Sequence, residues 1–249
     1  MNELSWPFKS LNETLFPMSG GDLIVIGGSQ ASGKTTLMLN MALKVAREGR
    51  PVAFLSLERF RKDFKARLLQ RYFEIDLVHK ENQRMITREE TQELFNRTVE
   101  LNRLPLEIRD VSYCDIEGIA EQIAGLYYSE ETEVFFVDYL QLIDGQDVAC
   151  RVLKEVAEEL EVVVVLSSLL PRASRLHQDG IPQVEDFSNR GVEDYADTIL
   201  MLHRPGVDSN ESKEVRVITA RDSCVDISYM NLLSRSEEHT SELQSRQSI

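Results

Sequence analysis

The residues with the plainest chemistry lie between Leu23 and Thr36, in the stretch LIVIGGSQASGKTT. Gly28-x-x-x-x-Gly33-Lys34-Thr35 has the spacing of a phosphate-binding loop. Glycines let backbone N–H groups turn inward around phosphate oxygens, and a helix that starts directly afterwards adds free N–H groups and the positive end of its dipole. Gly28, Ser29, Gln30, Ala31, Ser32, Gly33, Lys34, Thr35 and Thr36 are therefore expected to cradle the phosphates of a nucleotide. Lys34 would reach the β- and γ-phosphates, and the Thr35 hydroxyl would ligate Mg²⁺. An apolar run of strand length before the loop and the helix-like LMLNMALKVA after it set this match apart from a chance pattern on a surface turn.

Chemistry at such a loop needs a second acid, holding Mg²⁺ through water, and a base that orients the attacking water. Asp138 is placed for the first role. It follows VFFV near the C-terminal end of a central strand, where ligands collect in open α/β sheets. Glu58 is placed for the second, at the end of PVAFLSLE, the strand directly after the phosphate-loop helix. On spacing alone an ordinary exposed strand-end glutamate remains the alternative.

These residues need strands to carry them and helices to cover the strands. Apolar positions at helical spacing span Thr35 to Glu48, with Gly49 where a helix stop belongs. Arg59 to Phe73 reads as a basic helix, Thr87-Arg-Glu-Glu90 as a capping box opening a helix to about Asn102, and Leu104 to Asp110 as a strand. Asp115 caps a helix over Ile116 to Tyr128. Val134 to Ile143 reads as a strand apolar on both faces, Asp147 to Leu160 as a helix, and Val162 to Ser168 as another buried strand. Residues 169–190 read as a long, turn-rich loop, and loops of that length inside compact domains are usually functional. Thr198 to Arg204, Lys213 to Arg221 and Asp226 to Leu233 finish as three short strands, expected to be antiparallel at the sheet edge. Strands alternating with helices specify an α/β fold with a doubly wound, mainly parallel sheet.

The composition fits one such domain: 249 residues with 42% hydrophobic content. No apolar run is long enough to span a bilayer and no signal pattern opens the chain, so no membrane partner is expected and the cytoplasm is the expected compartment. Cys114, Cys150 and Cys224 lack metal-ligand spacing. A net charge of −14 excludes a generally basic protein that coats nucleic acid, so any DNA contact must be local. Residues 1–22 read as a lead-in segment and 23–234 as the domain, with Asn12-Glu13-Thr14 as a turn signal in the lead-in. From Arg235 the chain reads RSEEHTSELQSRQSI, whose first eleven residues match the translation of a common sequencing adapter; residues 235–249 are expected to be a non-native tail.

Taken together, GDLIVIGGSQASGKTTLMLNMA, PVAFLSLE, VDYLQLI, RVLKEVAEELEVVVVLSS and YADTILMLHR resemble the ATPase domain of DnaB-type replicative helicases, superfamily 4 motors with the RecA-like P-loop NTPase fold. The resemblance runs from about Phe8 to Ser234. It implies a homo-oligomer, a ring hexamer with ATP sites between subunits and single-stranded DNA in the central channel. It implies Lys34 and Thr35 in the phosphate and Mg²⁺ roles, Asp138 as the second acid and Glu58 as the catalytic base. Several positions depart from the family pattern. Ser168 stands where the family has a γ-phosphate-sensing glutamine. The stretch Asp186 to Gly191 differs from the family's DNA-loop sequence, and Arg221 alone remains of the segment that carries the family's arginine finger. Arg221 is the candidate finger, against an ordinary strand-end arginine. Arg172, Arg175 and Arg190 are candidates to meet DNA phosphates, against a merely solvated loop. The sequence as given lacks the family's collar domain and linker helix, which leaves weak assembly, a fragment of a longer protein and a stand-alone paralogue open as expectations, with a primase contact doubtful.

Three readings are open: an ATP-driven DNA helicase domain, a RecA-fold ATPase switch or recombination mediator without unwinding, and a catalytically weak ATP-binding scaffold. Intact Lys34, Thr35, Glu58 and Asp138 weigh against the last.

Overall fold

The computed structural model describes residues 3–58, 88–170, 182–203, 215–220 and 228–232. Among them eight strands form one sheet, ordered β3-β2-β4-β5-β1-β6-β7-β8. They are β1 (Leu23–Gly28), β2 (Val52–Ser56), β3 (Leu106–Asp110), β4 (Val134–Asp138), β5 (Val163–Leu169), β6 (Thr198–His203), β7 (Val215–Ala220) and β8 (Ser228–Leu232). The first six in that order run parallel, and β7 and β8 add antiparallel strands at the edge. Helices α1 (Lys9–Thr14), α2 (Lys34–Arg47), α3 (Arg88–Leu101), α4 (Ile116–Glu130), α5 (Gln146–Leu160) and α6 (Gly191–Tyr195) complete the described elements. This is the doubly wound, mainly parallel architecture expected from the alternation of strands and helices.

Every residue of β1, β2 and β4 is buried, because helices cover both faces of the sheet. Alternation divides each strand between two cores. Val134 and Phe136 of β4 join the core under α2, and Phe135 and Val137 join the core under α4 and α5. Phe54 and Phe136 stack with centroids 6.0 Å apart. Local capping fixes the covering helices. The Asp115 carboxylate accepts the Gly118 N–H (2.9 Å) at the start of α4, as expected. α2 stops beside Gly49, whose φ of +81° is open to glycine at little cost.

Three sequence expectations are corrected. The strand expected over Val134 to Ile143 ends at Asp138; a cis peptide joins Asp138 to Tyr139, and Leu140–Leu142 turn as a 3-10 helix. The first of the three C-terminal strands, β6, lies parallel to β1, so only β7 and β8 fit the antiparallel expectation. The Asn12-Glu13-Thr14 turn signal sits inside α1, where the Asn12 side chain accepts the Trp6 N–H (2.7 Å) and donates to the Trp6 carbonyl (2.9 Å). That amide folds the lead-in back on itself. Leu4, Trp6, Leu11, Leu15 and Met18 thereby enter the α2 core, with Trp6 only 1% exposed.

At the N-terminal ends of the parallel strands, Asp197 accepts the Leu23 N–H (2.8 Å) and the Lys154 ammonium (2.8 Å), which also donates to the Gly21 carbonyl (2.8 Å). One carboxylate thus locks β1, β6 and α5 at the end of the sheet away from the phosphate loop. No described helix is long and apolar enough to cross a membrane. The basic helix expected at Arg59 to Phe73, the Thr87 capping position, and residues 235–249 lie outside the described residues.

Candidate active site

The parallel strands present their C-terminal ends along one edge of the sheet. Register places Ser56 of β2 beside Asp138 of β4, and Gly27 of β1 beside Ser168 of β5. The phosphate loop leaves β1 at Gly28 and enters α2 at Lys34. Gly33, the α2 N-cap, has φ +107°, a conformation that excludes most side chains. A Cβ on Gly28 would lie 2.4 Å from Ser32 Oγ and 3.2 Å from the Leu202 carbonyl oxygen, so the loop's curvature requires glycine there. Ser32 Oγ is buried without a hydrogen-bond partner, an unusual state for a hydroxyl 1% exposed. No acidic residue of α2 itself occupies its first turn, so its positive end is left to groups from elsewhere in the fold.

Lys34 Nζ donates to the carbonyls of Gly28 (2.8 Å) and Ser29 (3.0 Å), folded over the loop it belongs to. Burial lowers its pKa from the ordinary lysine value, against the opposing charges of Asp138 and Glu58. Thr35 Oγ1 donates to Asp138 Oδ2 (2.7 Å), and Ser167 Oγ donates to Asp138 Oδ1. Asp138, 8% exposed, thus meets the first turn of α2 with both carboxylate oxygens satisfied by hydroxyls. Glu58 is exposed one residue past the end of the β2 core run, its backbone carbonyl held by Ser56 Oγ (2.9 Å). Tyr139 completes the cluster: burial, then the charges of Glu58 and Asp138, raise its phenol pKa.

Loop, lysine, hydroxyl and two acids therefore converge on one strand edge. The donor set, one carboxylate and one hydroxyl, suits a hard cation shared with phosphate, with no cluster of three or more His, Cys, Asp or Glu residues among the described residues. Ser56, Ser167 and Tyr139 join the site without having been singled out for it in the sequence. Ser56 and Ser167 carried a signal, as polar residues closing otherwise apolar strands.

Other candidates lie apart. Arg190, the exposed N-cap of α6, lines a groove of about 560 Å³ with Gln146, Arg151, Asn189 and Tyr195, and no phosphate-loop residue lines it. A second cleft of about 650 Å³ surrounds Lys154 and Asp197 at the opposite end of the sheet, and its main polar groups already bond one another. Arg172, Arg175 and Arg221 lie outside the described residues. Ser168, 1% exposed, turns to the α4 and α5 side of the sheet, where its hydroxyl accepts from Gln141 Nε2 (2.9 Å).

The replicative DNA helicase DnaB of Helicobacter pylori (strain ATCC 700392 / 26695) is 30% identical over 209 residues, covering 79% of this chain and 43% of that protein. The replicative DNA helicase DnaB of Mycoplasma genitalium is 26% identical over 228 residues, covering 85% and 48%. The chain spans about half the length of the curated relatives it matches. A solved ATPase domain superposes with TM-score 0.83 at 22% identity, covering 95% of this chain and 89% of its own. A solved DnaB-like replicative helicase, described with its interactions with primase, superposes with TM-score 0.79 at 22% identity, covering 92% and 59%. Both show a shared RecA-like fold. The model of the DnaB-like helicase C-terminal domain matches residues 4–242, nearly the whole chain, and the chain belongs to that family.

Proposed function

We propose that this domain hydrolyses ATP and couples each turnover to movement along single-stranded DNA, as a replicative helicase motor working in the cytoplasm. The observation that carries the reading is the bond from Thr35 Oγ1 to the buried Asp138, at the head of a helix whose first residue is Lys34. A hydroxyl and a carboxylate held together beside an ammonium match what a Mg²⁺–triphosphate requires. Loop N–H groups from Ser29 to Thr36 and the α2 N-terminus bind the phosphates, and Lys34 exchanges the Gly28 and Ser29 carbonyls for phosphate oxygens. Mg²⁺, held by Thr35 and through water by Asp138, would neutralise charge on the β- and γ-phosphates. Ser167 keeps the Asp138 carboxylate aimed at Thr35. Glu58 orients the water whose oxygen attacks the γ-phosphorus and accepts its proton, as the bond to the ADP oxygen breaks.

Assembly as a homo-oligomeric ring would bring Arg221 of one subunit to the site of the next, and Arg172, Arg175 and Arg190 to DNA phosphates. A primase contact is not part of this reading. Strand displacement tests it: the protein, supplied with Mg²⁺ and ATP, is expected to release the labelled strand of a forked duplex. Hydrolysis without release at any protein concentration would instead assign an ATPase switch.

A further inference from the structure

The exits of β4 and β5 are tied together twice. On the α2 side, Ser167 Oγ bonds Asp138. Beyond Asp138, where β4 has stopped pairing, Gln141 takes over. Its Nε2 donates to Ser168 Oγ (2.9 Å) and to the Leu169 carbonyl (3.1 Å), and its Oε1 accepts the Leu169 N–H (2.8 Å). One side-chain amide thus satisfies both backbone groups of Leu169, as a neighbouring strand would. The β4–β5 ladder ends at Val137 and Leu166, so no strand residue can do this.

Leu170 faces the other way. Its N–H donates to the Gly28 carbonyl (3.0 Å), the same oxygen that accepts Lys34 Nζ (2.8 Å). Lys34, Gly28, Leu170, Leu169 and Gln141 therefore form an unbroken hydrogen-bonded path from the phosphate loop to the segment that begins at Asp138. Once Lys34 turns to phosphate, the Gly28 carbonyl keeps the Leu170 N–H as its donor from this path, and that bond gains what the ammonium had taken.

We propose that Gln141 is a positioning residue that makes the backbone at the exit of β5 respond to nucleotide in the phosphate loop. The inference rests on the reading of that loop as an ATP site. Without the Gln141 amide, the Leu169 backbone bonds water and Leu170 opens whether or not nucleotide is bound, so the response is lost while the loop itself still binds.

Amide hydrogen exchange of the full chain tests this, with and without Mg²⁺ and a non-hydrolysable ATP analogue, in wild type, Gln141→Met and Gln141→Glu. In wild type, the analogue is expected to slow exchange at Leu170 by about tenfold, the worth of one strengthened buried hydrogen bond. In Gln141→Met, nearly isosteric but unable to bond Leu169, that ratio is expected to fall below about twofold, while residues 28–37 stay protected by the analogue. Gln141→Glu keeps an acceptor for the Leu169 N–H and is expected to fall between. A Gln141→Met protein that exchanges faster at Leu169 and Leu170 yet keeps the wild-type nucleotide ratio would overturn the proposal and leave Gln141 a purely structural tie. Absence of analogue protection over residues 28–37 in wild type would overturn it together with the ATP reading. The measurement needs neither DNA nor turnover, so a failure of the motor reading alone would show separately, as hydrolysis that ignores DNA.

Discussion

Gly27, the residue before the phosphate loop's first glycine, is packed against the ring of Phe187. A Cβ on Gly27 would lie 2.4 Å from Phe187 Cζ and 2.9 Å from Cε1, with Leu170 Cδ1 at 3.2 Å. Ordinary carbon contacts begin near 3.5 Å, so Gly27→Ala forces the ring back by about 1 Å within a core layer that holds Phe187, Val192 and Leu166. Overpacking of this kind costs about 1–3 kcal/mol. Gly27 does not have a positive φ, so alanine fits its backbone and recovers about 0.4–1 kcal/mol through the unfolded chain. A net loss of about 1–2 kcal/mol is expected. Phe187→Leu alone leaves space and is destabilising by a similar amount, but it removes the atom that clashes. The double variant is therefore expected to be more stable than the sum of the singles by about 1–2 kcal/mol. Urea unfolding reads this directly, because Trp6 is the chain's one tryptophan and is buried in the α2 core. Additivity within about 0.5 kcal/mol, at unchanged m, would refute the contact and with it the packing of residues 182–187 on the β1 exit.

The lowered pKa of Lys34 predicts that kcat/KM for ATP, which reports the free protein, falls on an alkaline limb centred below 10.5. Lys34→Arg should lack that limb, and a limb shared by both proteins would exclude Lys34 as its source. The same lowering means that the folded chain holds fewer protons at Lys34 than the unfolded chain does. This group's contribution to stability is therefore present above 10.5 and lost as pH falls through the lower folded value, which denaturation of wild type beside Lys34→Met would expose. Burial raises the Cys150 pKa to about 12, so at pH 8 the thiolate is about one part in ten thousand and alkylation should reach Cys114 before Cys150, as peptide mass spectrometry would show. Asp197→Ala removes the acceptor of the Leu23 N–H and of Lys154; its partial exposure limits the loss to about 1–2 kcal/mol in urea, and no loss would mean that the lock is idle.

The features legible in the sequence were local or periodic. The phosphate loop is a contiguous pattern, and Asp138 announces itself as a lone acid within an apolar run. Asp115 was readable as a cap because its partner lies three residues away. The end of β4 was not readable: VFFVDYLQLI stays apolar past Asp138, and only the turn at Leu140–Leu142 separates β4 from the segment leading into α5. Asn12 reads as a turn residue by type, yet its amide bonds a backbone six residues earlier and α1 forms around it. Gln141 meets Leu169 across 28 positions, and nothing in either neighbourhood marks the other. Ser168 could be recognised as a departure from a family pattern, but its orientation away from the α2 face belongs to the register of β5 with β1.

Lys34, Thr35, Asp138 and Glu58 are proposed to form a working ATPase whose turnover answers to DNA. Steady-state ATP hydrolysis, with and without single-stranded DNA, tests it most directly in wild type beside Lys34→Ala and Glu58→Gln. Hydrolysis stimulated by DNA in wild type and reduced at least about a hundredfold in both variants is the expected result, in line with loss of a phosphate-binding charge or of a positioned base. Wild-type hydrolysis indifferent to DNA would rule out a DNA-driven motor, and turnover that survives Glu58→Gln would rule out Glu58 as the base.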